Sequence, residues 1–326
     1  MRFLACLALI YPSFLFAAES SDDAALPRPE VLLSLMSTAL REKTYSGEFT
    51  YEHGSKLETF HIVHSVEEGQ ESERLYRLTG PEQEFVRSGI AACGTIGGHL
   101  LGGSRLTSSD GQYFGLDRYY RATLLGQDRI AGRYVWLLQL IPQDEYRFGI
   151  TLAIDAESQL LMRYVIYDAR KKIALERMQF VSLDVGVAEP PAAVDEEAQI
   201  AVAPHRCVGA TYSPDGHSPW KPAWLPPGFI LTGYSYSEED GHMETYTDGV
   251  SSFSVFVRPS ADDAQTLQGR IQQGVSSRGA VMALISALPG DDETLFVSVV
   301  GEIPLPAAQK VSLSIRKVAE AQGVMN

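Results

Sequence analysis

The stretch EYRFGITLAIDAESQLLMRYVIYD, Glu145–Asp168, decides the fold. Tyr146, Phe148, Ile150, Leu152 and Ile154 alternate with Glu145, Arg147, Thr151 and Asp155. A period of two puts successive side chains on opposite faces, so the pattern predicts a strand with one apolar and one polar side. After the polar run around Asp155–Gln159 the alternation resumes through Leu160, Met162, Tyr164 and Ile166. Two such strands joined by a short polar turn read as an antiparallel pair.

Working outward, the same period recurs. Tyr134, Trp136, Leu138 and Leu140 share one face, with Val135, Leu137 and Ile141 opposite, which predicts a strand covered on both sides. Tyr45, Phe49 and Tyr51 line one side of an earlier strand whose other side carries Ser46, Glu48, Thr50 and Glu52. Residues 57–66 alternate less cleanly, and 173–183 form a further strand candidate. Ahead of them all, Pro29 and Glu30 suit a first helical turn, and Val31, Leu32, Leu35, Ala39 and Leu40 follow at helical spacing. The expected architecture is α+β: a curved antiparallel half-barrel wrapped on one helix. Its concave face would carry Phe49, Tyr51, Trp136, Phe148 and Tyr164. These are the candidate lining of an apolar cavity, in which each buried methylene of an acyl chain gains about 0.8 kcal/mol. Aromatic stripes are more often packed core, and pattern alone favours that reading.

The composition changes after residue 186. The segment 187–219 includes AEPPAAVDEEAQIAVAP, rich in Pro, Ala and acid and without periodicity, as in a linker. A second patterned region, 220–326, holds alternating Val250–Val257, with Phe253, Val255 and Val257 on one side, and a strand candidate at Leu295–Val300. Pro304 and Pro306 precede a terminal helix expected to carry Ala308, Val311, Ile315 and Val318 on one face. This predicts a small antiparallel sheet with a helix laid on it. The expected division is therefore 1–18, 19–186, 187–219 and 220–326.

Residues 1–18 read as a secretory signal peptide. Arg2 is followed by an apolar core and the small-residue end Phe16-Ala17-Ala18. The run is shorter than the roughly 20 residues needed to span a bilayer, and Pro12 breaks it. The expectation is a soluble, exported protein. Of three cysteines, Cys6 leaves with the leader. Cys93 and Cys207 remain, far apart in the chain; export permits a disulfide between them, and two unpaired thiols are the alternative.

With 326 residues, 45% hydrophobic and 21% charged, the chain is neither disordered, collagen-like nor coiled coil. A net charge of −14 gives no electrostatic footprint for nucleic acid. His61 and His64 form an HxxH, but residues three apart on a strand face opposite sides and cannot chelate one metal. There is no HExxH, CxxC or GxSxG, and the glycine-rich stretch Gly94–Gly103 lacks the ending of a phosphate loop. The acidic pairs Glu67-Glu68, Glu196-Glu197, Glu238-Glu239, Asp262-Asp263 and Asp291-Asp292 fall near turns, where solvation is the default. No catalytic constellation, metal site or cofactor is expected, and an enzyme is disfavoured.

Three strings carry a resemblance: WKPAWLPPGFILTGYSY (Trp220–Tyr236), YTDGVSSFSVFV (Tyr246–Val257) and VVGEIPLPAAQKV (Val299–Val311). They resemble the C-terminal domain of the RseB/MucB family of periplasmic regulators of the sigma-E (AlgU-type) envelope stress response. The stretches Glu58–His64, Glu73–Gly89, Leu116–Leu140 and Asp155–Asp168 are similar to that family's N-terminal domain in order and spacing. The strings are not catalytic. Pro222, Pro226, Pro227 and Gly228 fix a rigid entry that plants Trp220, Trp224 and Phe229, and Asp248-Gly249 is a turn.

The resemblance implies a non-enzymatic negative regulator with a half-barrel similar to LolA/LolB lipoprotein carriers. It implies binding to the periplasmic segment of an RseA/MucA-type inner-membrane anti-sigma factor. It further implies shielding of that segment from proteolysis, and release by lipid or lipopolysaccharide. Arg258, Arg270 and Arg278 are candidates for the partner surface, since arginines are scarce there against an acidic background; for each, a solvated surface charge is the favoured alternative. Residues 91–109 depart from the loop expected of the family, and their glycine content suggests a mobile lip at the cavity. A lipid or lipoprotein carrier without a regulatory partner is the rival reading, and homo-oligomerisation is left open.

Overall fold

The computed structural model describes residues 26–81, 83–88, 116–190, 205–207, 218–238, 240–260, 274–289 and 294–318. The expected leader, Cys93, Arg270 and the Gly94–Gly103 stretch lie outside them, as does the side chain of Cys207.

Helix α1 (Pro29–Glu42) opens with Pro at its start, carries Glu30 in the first turn and Arg41 in the last, and so complements its own dipole. It buries Leu32, Leu33, Met36, Ser37, Ala39 and Leu40. Val31 and Leu35, expected on the apolar face, are exposed. The stripe 33, 36, 37, 40 has the correct helical spacing but is turned by about one residue from the expected one.

The large sheet contains β1 (Tyr45–His53), β2 (Lys56–Glu67), β3 (Gln70–Arg77), β4 (Glu84–Ser88), β5 (Tyr120–Ile130), β6 (Arg133–Pro142), β7 (Gly149–Asp155), β8 (Leu161–Asp168), β9 (Ile173–Phe180), β10 (Asp184–Val185) and β11 (His205–Cys207). Its order is β11-β4-β3-β2-β1-β9-β8-β7-β6-β5, with β10 also on β1. Two antiparallel meanders thus meet at the β1–β9 pair, where Phe49 faces Phe180 and Tyr51 faces Met178. The path is open, with β5 and β11 at its edges. The expected linker contributes β11, which pairs parallel with β4. The curved sheet and α1 share one core, from Leu33 and Met36 through Phe49, Leu138, Ile150 and Tyr164.

The small sheet contains β13 (Ile230–Ser237), β14 (Gly241–Thr247), β15 (Ser252–Ser260), β16 (Gly274–Arg278), β17 (Val281–Pro289) and β18 (Thr294–Gly301), in the order β13-β14-β15-β18-β17-β16. Phe253, Val255 and Val257 face inward as the alternation predicts. Helix α2 (Leu305–Leu313) buries Ala307, Ala308, Val311 and Ser312 against that sheet.

The terminal helix is shorter than expected. Ser314 stops it, its hydroxyl donating to Val311 O at 2.8 Å. Ile315 then enters β19 (Ile315–Lys317), which pairs with β12 (Trp220–Pro222), while Val318 is exposed. Trp220 and Phe229 are buried anchors, and Trp224 is half-buried.

Two further expectations are corrected. Alternation through Tyr146–Phe148 predicts strand, but β7 begins at Gly149. Residues 143–148 form a bend that reaches the small sheet, and Arg147, read as a solvent-side residue, is buried. In β6, Val135, Leu138 and Leu140 are buried on their two faces, but Tyr134 is exposed. Among the described residues no helix is long and apolar enough to cross a membrane.

Candidate functional site

The two sheets meet in a seam formed by two turns of the small sheet and the ends of large-sheet strands. The first turn, Asp248–Ser251, joins β14 to β15. Its Asp248 Oδ1 accepts the N–H groups of Val250 (2.9 Å) and Ser251 (2.8 Å), so the carboxylate builds its own turn. The second, Gly279-Ala280, joins β16 to β17. Val250 and Ala280 are buried in the large core cluster, not in that of their own sheet.

Arg147 holds the first turn. Its Nη1 donates to Asp248 Oδ2 at 2.7 Å, its Nε to both Asp144 oxygens at 3.1 Å, and its Nη2 to the Pro227 carbonyl. The guanidinium carbon lies 4.8 Å from the Tyr119 ring centre and 5.4 Å from that of Phe229. Tyr120 adds a 3.2 Å hydroxyl bond to Asp248 Oδ2. Both side chains of the ion pair are fully buried. Burial works against the Arg147 charge, but Asp248, Tyr120 and Asp144 more than offset it and raise its pKa. Burial also raises Asp248, opposed by Arg147, by the turn N–H groups and by Tyr120. Gly228, at φ +88°, lets the Pro227–Phe229 segment approach: a Cβ there would lie 2.2 Å from the Tyr119 ring.

The second turn docks on Glu176 of β9. Ala280 N–H donates to Glu176 Oε2 at 3.0 Å, and the hydroxyls of Tyr51 and Tyr164 donate at 3.1 and 3.0 Å. Glu302, just after β18, is also buried, and burial followed by Glu176 and Asp248 pushes its pKa well up. At the rim Arg278 Nη2 donates to Glu58 Oε2 at 3.2 Å, and Arg77 also pairs with Glu58. Burial alone would raise Glu58, but the His53 bond and the two arginines hold it low. On the far side of the seam Tyr146 packs edge-on against Trp224 at 4.9 Å, and Lys310 Nζ lies 4.1 Å from the Trp224 ring centre.

The expected cavity residues stand as follows. Phe49, Tyr51, Phe148 and Tyr164 are all buried in the large core, and Trp136 packs against it half-buried. Phe49 meets Phe60 and Phe180 at 5.6 Å. Tyr51 and Tyr164 are brought together on Glu176, so their polar ends serve the seam. A pocket of about 290 Å³ lies elsewhere, lined by Glu30, Asp117, Tyr120, Arg121, Ala122, Leu140 and Gln143. Of the partner-surface arginines, Arg258 is exposed with its guanidinium 5.8 Å from the Phe296 ring centre, and Arg278 reaches the large sheet. The HxxH histidines face apart: His64 stacks on Tyr45 at 4.9 Å, and His61 bonds the Glu189 carbonyl at 2.8 Å. Among the described residues no group of His, Cys, Asp and Glu could hold a metal ion.

Sequence reasoning missed Arg147, Asp248, Glu176 and Glu302 as seam residues. One signal was present: Glu176 shares its strand parity with Met178 and Phe180, and a glutamate on an apolar face needs partners.

Comparison with known proteins gives one answer along the chain. The family model for the MucB/RseB N-terminal domain matches residues 28–200, and that for the MucB/RseB C-terminal domain matches residues 214–316. The sigma factor AlgU regulatory protein MucB of Pseudomonas aeruginosa is 33% identical over 308 residues, 89% of this chain and 91% of that protein. The sigma-E factor regulatory protein RseB of Haemophilus influenzae is 22% identical over 321 residues, covering 95% and 96%. The crystal structure of MucB in complex with MucA(peri) superposes with a TM-score of 0.66 at 31% identity, over 90% of this chain and 100% of that one. A crystal structure of MucB gives 0.63, also at 31% identity, over 89% and 98%. Both halves, in order and nearly end to end, place this chain in the MucB/RseB family of sigma factor regulatory proteins.

Proposed function

We propose that this protein is a non-enzymatic periplasmic negative regulator that binds the periplasmic segment of an anti-sigma factor of the MucA/RseA type. Bound, it shields that segment from regulated proteolysis; lipid or lipopolysaccharide acyl chains release it. The observation that carries the reading is the match, over nine-tenths of the chain, to a MucB whose structure was solved with MucA(peri). A division into a leader over 1–18, a large domain over 19–186, a linker over 187–219 and a small domain over 220–326 goes with it. Arg258, Arg270 and Arg278 remain the proposed partner-facing cations.

Acyl chains enter beside Tyr120, Ala122 and Leu140 of the pocket near α1; Phe49, Tyr51, Trp136, Phe148 and Tyr164 belong to the packed core and not to that pocket's lining, so they meet a guest only when the sheet opens. Tyr120 also bonds Asp248, so a guest there can bear on the seam. Release requires that lipid favour an arrangement the peptide does not, because only differential affinity moves an equilibrium. The test is titration of the purified chain with the anti-sigma periplasmic segment, with and without excess lipid A. Saturable binding weakened at least about tenfold by lipid is expected, a coupling of about 1.4 kcal/mol. Absence of peptide binding ends the functional reading, and affinity unchanged by lipid ends the release step.

A further inference from the structure

Glu176 and Glu302 are buried, and among the described residues neither is in an ion pair. Every hydrogen bond shown for Glu176 comes from a neutral donor: Ala280 N–H, Tyr51 OH and Tyr164 OH. Among the described residues Glu302 Oε2 has no hydrogen-bond partner. Arg147, the one buried arginine among the described residues, is committed to Asp144 and Asp248. The charged and titratable groups acting on this end are Glu176 from β9, Asp248 from the β14–β15 turn, Tyr51 and His53 from β1, Tyr164 from β8 and Arg278 from β16. Arg278 is spent on Glu58 at the exposed rim. Two buried carboxylates that feel each other's charge, with no ion-pair partner among the described residues and only the more distant field of His53 in their favour, do not both ionise; one keeps its proton. A metal does not substitute, since no suitable ligand group exists among the described residues.

We propose that this end of the seam is a proton-operated latch: the docked sheets hold a proton on Glu302, beside Glu176, and separating them releases it. Docking is the state in which the Gly279-Ala280 turn sits on Glu176, and parting the sheets takes Glu302 away from Glu176 and gives both carboxylates water. The inference is independent of which partner the protein binds. Its sign follows from the direction of the shift. Burial first, then Glu176 and Asp248, raise Glu302 when docked, and burial raises Glu176. The docked state therefore binds more protons. Its stability is fully present below the ordinary carboxylate range and is lost as pH rises through the docked pKa, by about tenfold in the docking constant per pH unit while one proton is released. Glu58 works in the opposite sense, because its lowered pKa weakens the Arg278 contact only when pH falls through the low pKa it has in the docked state.

The test reads hydrogen exchange of the Ala280 amide in the full-length protein, corrected for the intrinsic rate, from pH about 5 to about 9. Wild-type protection should fall with rising pH, by up to about tenfold per unit. Glu302→Gln, an uncharged likeness of the protonated acid, should flatten that profile and keep protection at the alkaline end at least about tenfold above wild type. A flat wild-type profile, or a Gln variant that titrates like wild type, overturns the latch. Infrared difference spectra of the wild type serve if the variant does not fold. A protonated-carboxyl band persisting at neutral pH supports the latch, and its absence overturns it.

Discussion

At one end of the seam a buried carboxylate, Asp248, meets a buried guanidinium at 2.7 Å; at the other, Glu176 accepts from two phenols and an amide, and Glu302 feels Glu176 and Asp248 with no ion-pair partner among the described residues. Both ends are equally dry, so desolvation penalises charge in both. The first end compensates with opposite charge, and its geometry is rigid: Arg147 is held by Asp144, the Pro227 carbonyl and two aromatic rings. The second compensates with hydrogen-bond donors and a retained proton. The contrast separates two jobs at one interface. A paired ion contact fixes position through direct opposite charge, whereas an unbalanced acid pair makes affinity depend on proton supply.

The comparison breaks most visibly if the cation is removed. Arg147→Met leaves Asp248 buried without its counter-charge and should cost about 3–5 kcal/mol in urea unfolding. A loss below about 1 kcal/mol would mean that the pair is not what fixes the first turn. Gly279→Ala attacks the other end. Gly279 has φ +61°, and a Cβ would sit 2.5 Å from Glu176 Oε2. Left-handed backbone strain and this crowding should together cost about 1–3 kcal/mol and expose the Ala280 amide to exchange. Gly279→Ala that leaves both stability and Ala280 protection unchanged would show that the turn does not dock this closely.

Tyr164→Phe is subtler. It deletes one of three donors to Glu176, worth about 1–2 kcal/mol. Because those donors hold the Glu176 pKa down against burial, their loss raises it further. The destabilisation should therefore grow as pH rises, the reverse of acid denaturation. A loss that is constant with pH would assign Tyr164 a packing role only.

The fold was legible because its strands bury one face. Ile150, Leu152, Tyr164 and Ile166 on β7 and β8, and Phe253, Val255 and Val257 on β15, are inward where a period of two puts them. The cover of the seam residues was not legible, because it comes from segments distant in sequence. Arg147 alternates like a solvent-side residue, yet Asp248 and Phe229 from the small sheet close over it. Asp248 was readable as a turn residue but not as a buried one. Glu302 precedes a proline-led helix and belongs to no period, so nothing local marks it. The helix phase failed for another reason: Val31 and Leu35 are as apolar as Leu33 and Met36, and only the position of the sheet chooses between the two stripes.

Arg278 sharpens the comparison from its exposed rim. It joins β16 to Glu58 across the seam at 3.2 Å, but its own side chain is largely solvated and Arg77 already serves the same carboxylate. Arg278→Ala should therefore cost less than about 1 kcal/mol, and less still at high salt. It is also one of the cations assigned to the partner. If that assignment holds, the substitution weakens binding of the anti-sigma segment several-fold while urea unfolding barely moves, because a charge-assisted contact to an acidic partner is lost without any buried group being left unpaired. The opposite pattern, intact peptide affinity with a clear loss of stability, would make Arg278 a third fastening between the sheets. The partner's acidic residues would then have to find their counter-charges elsewhere on the small sheet.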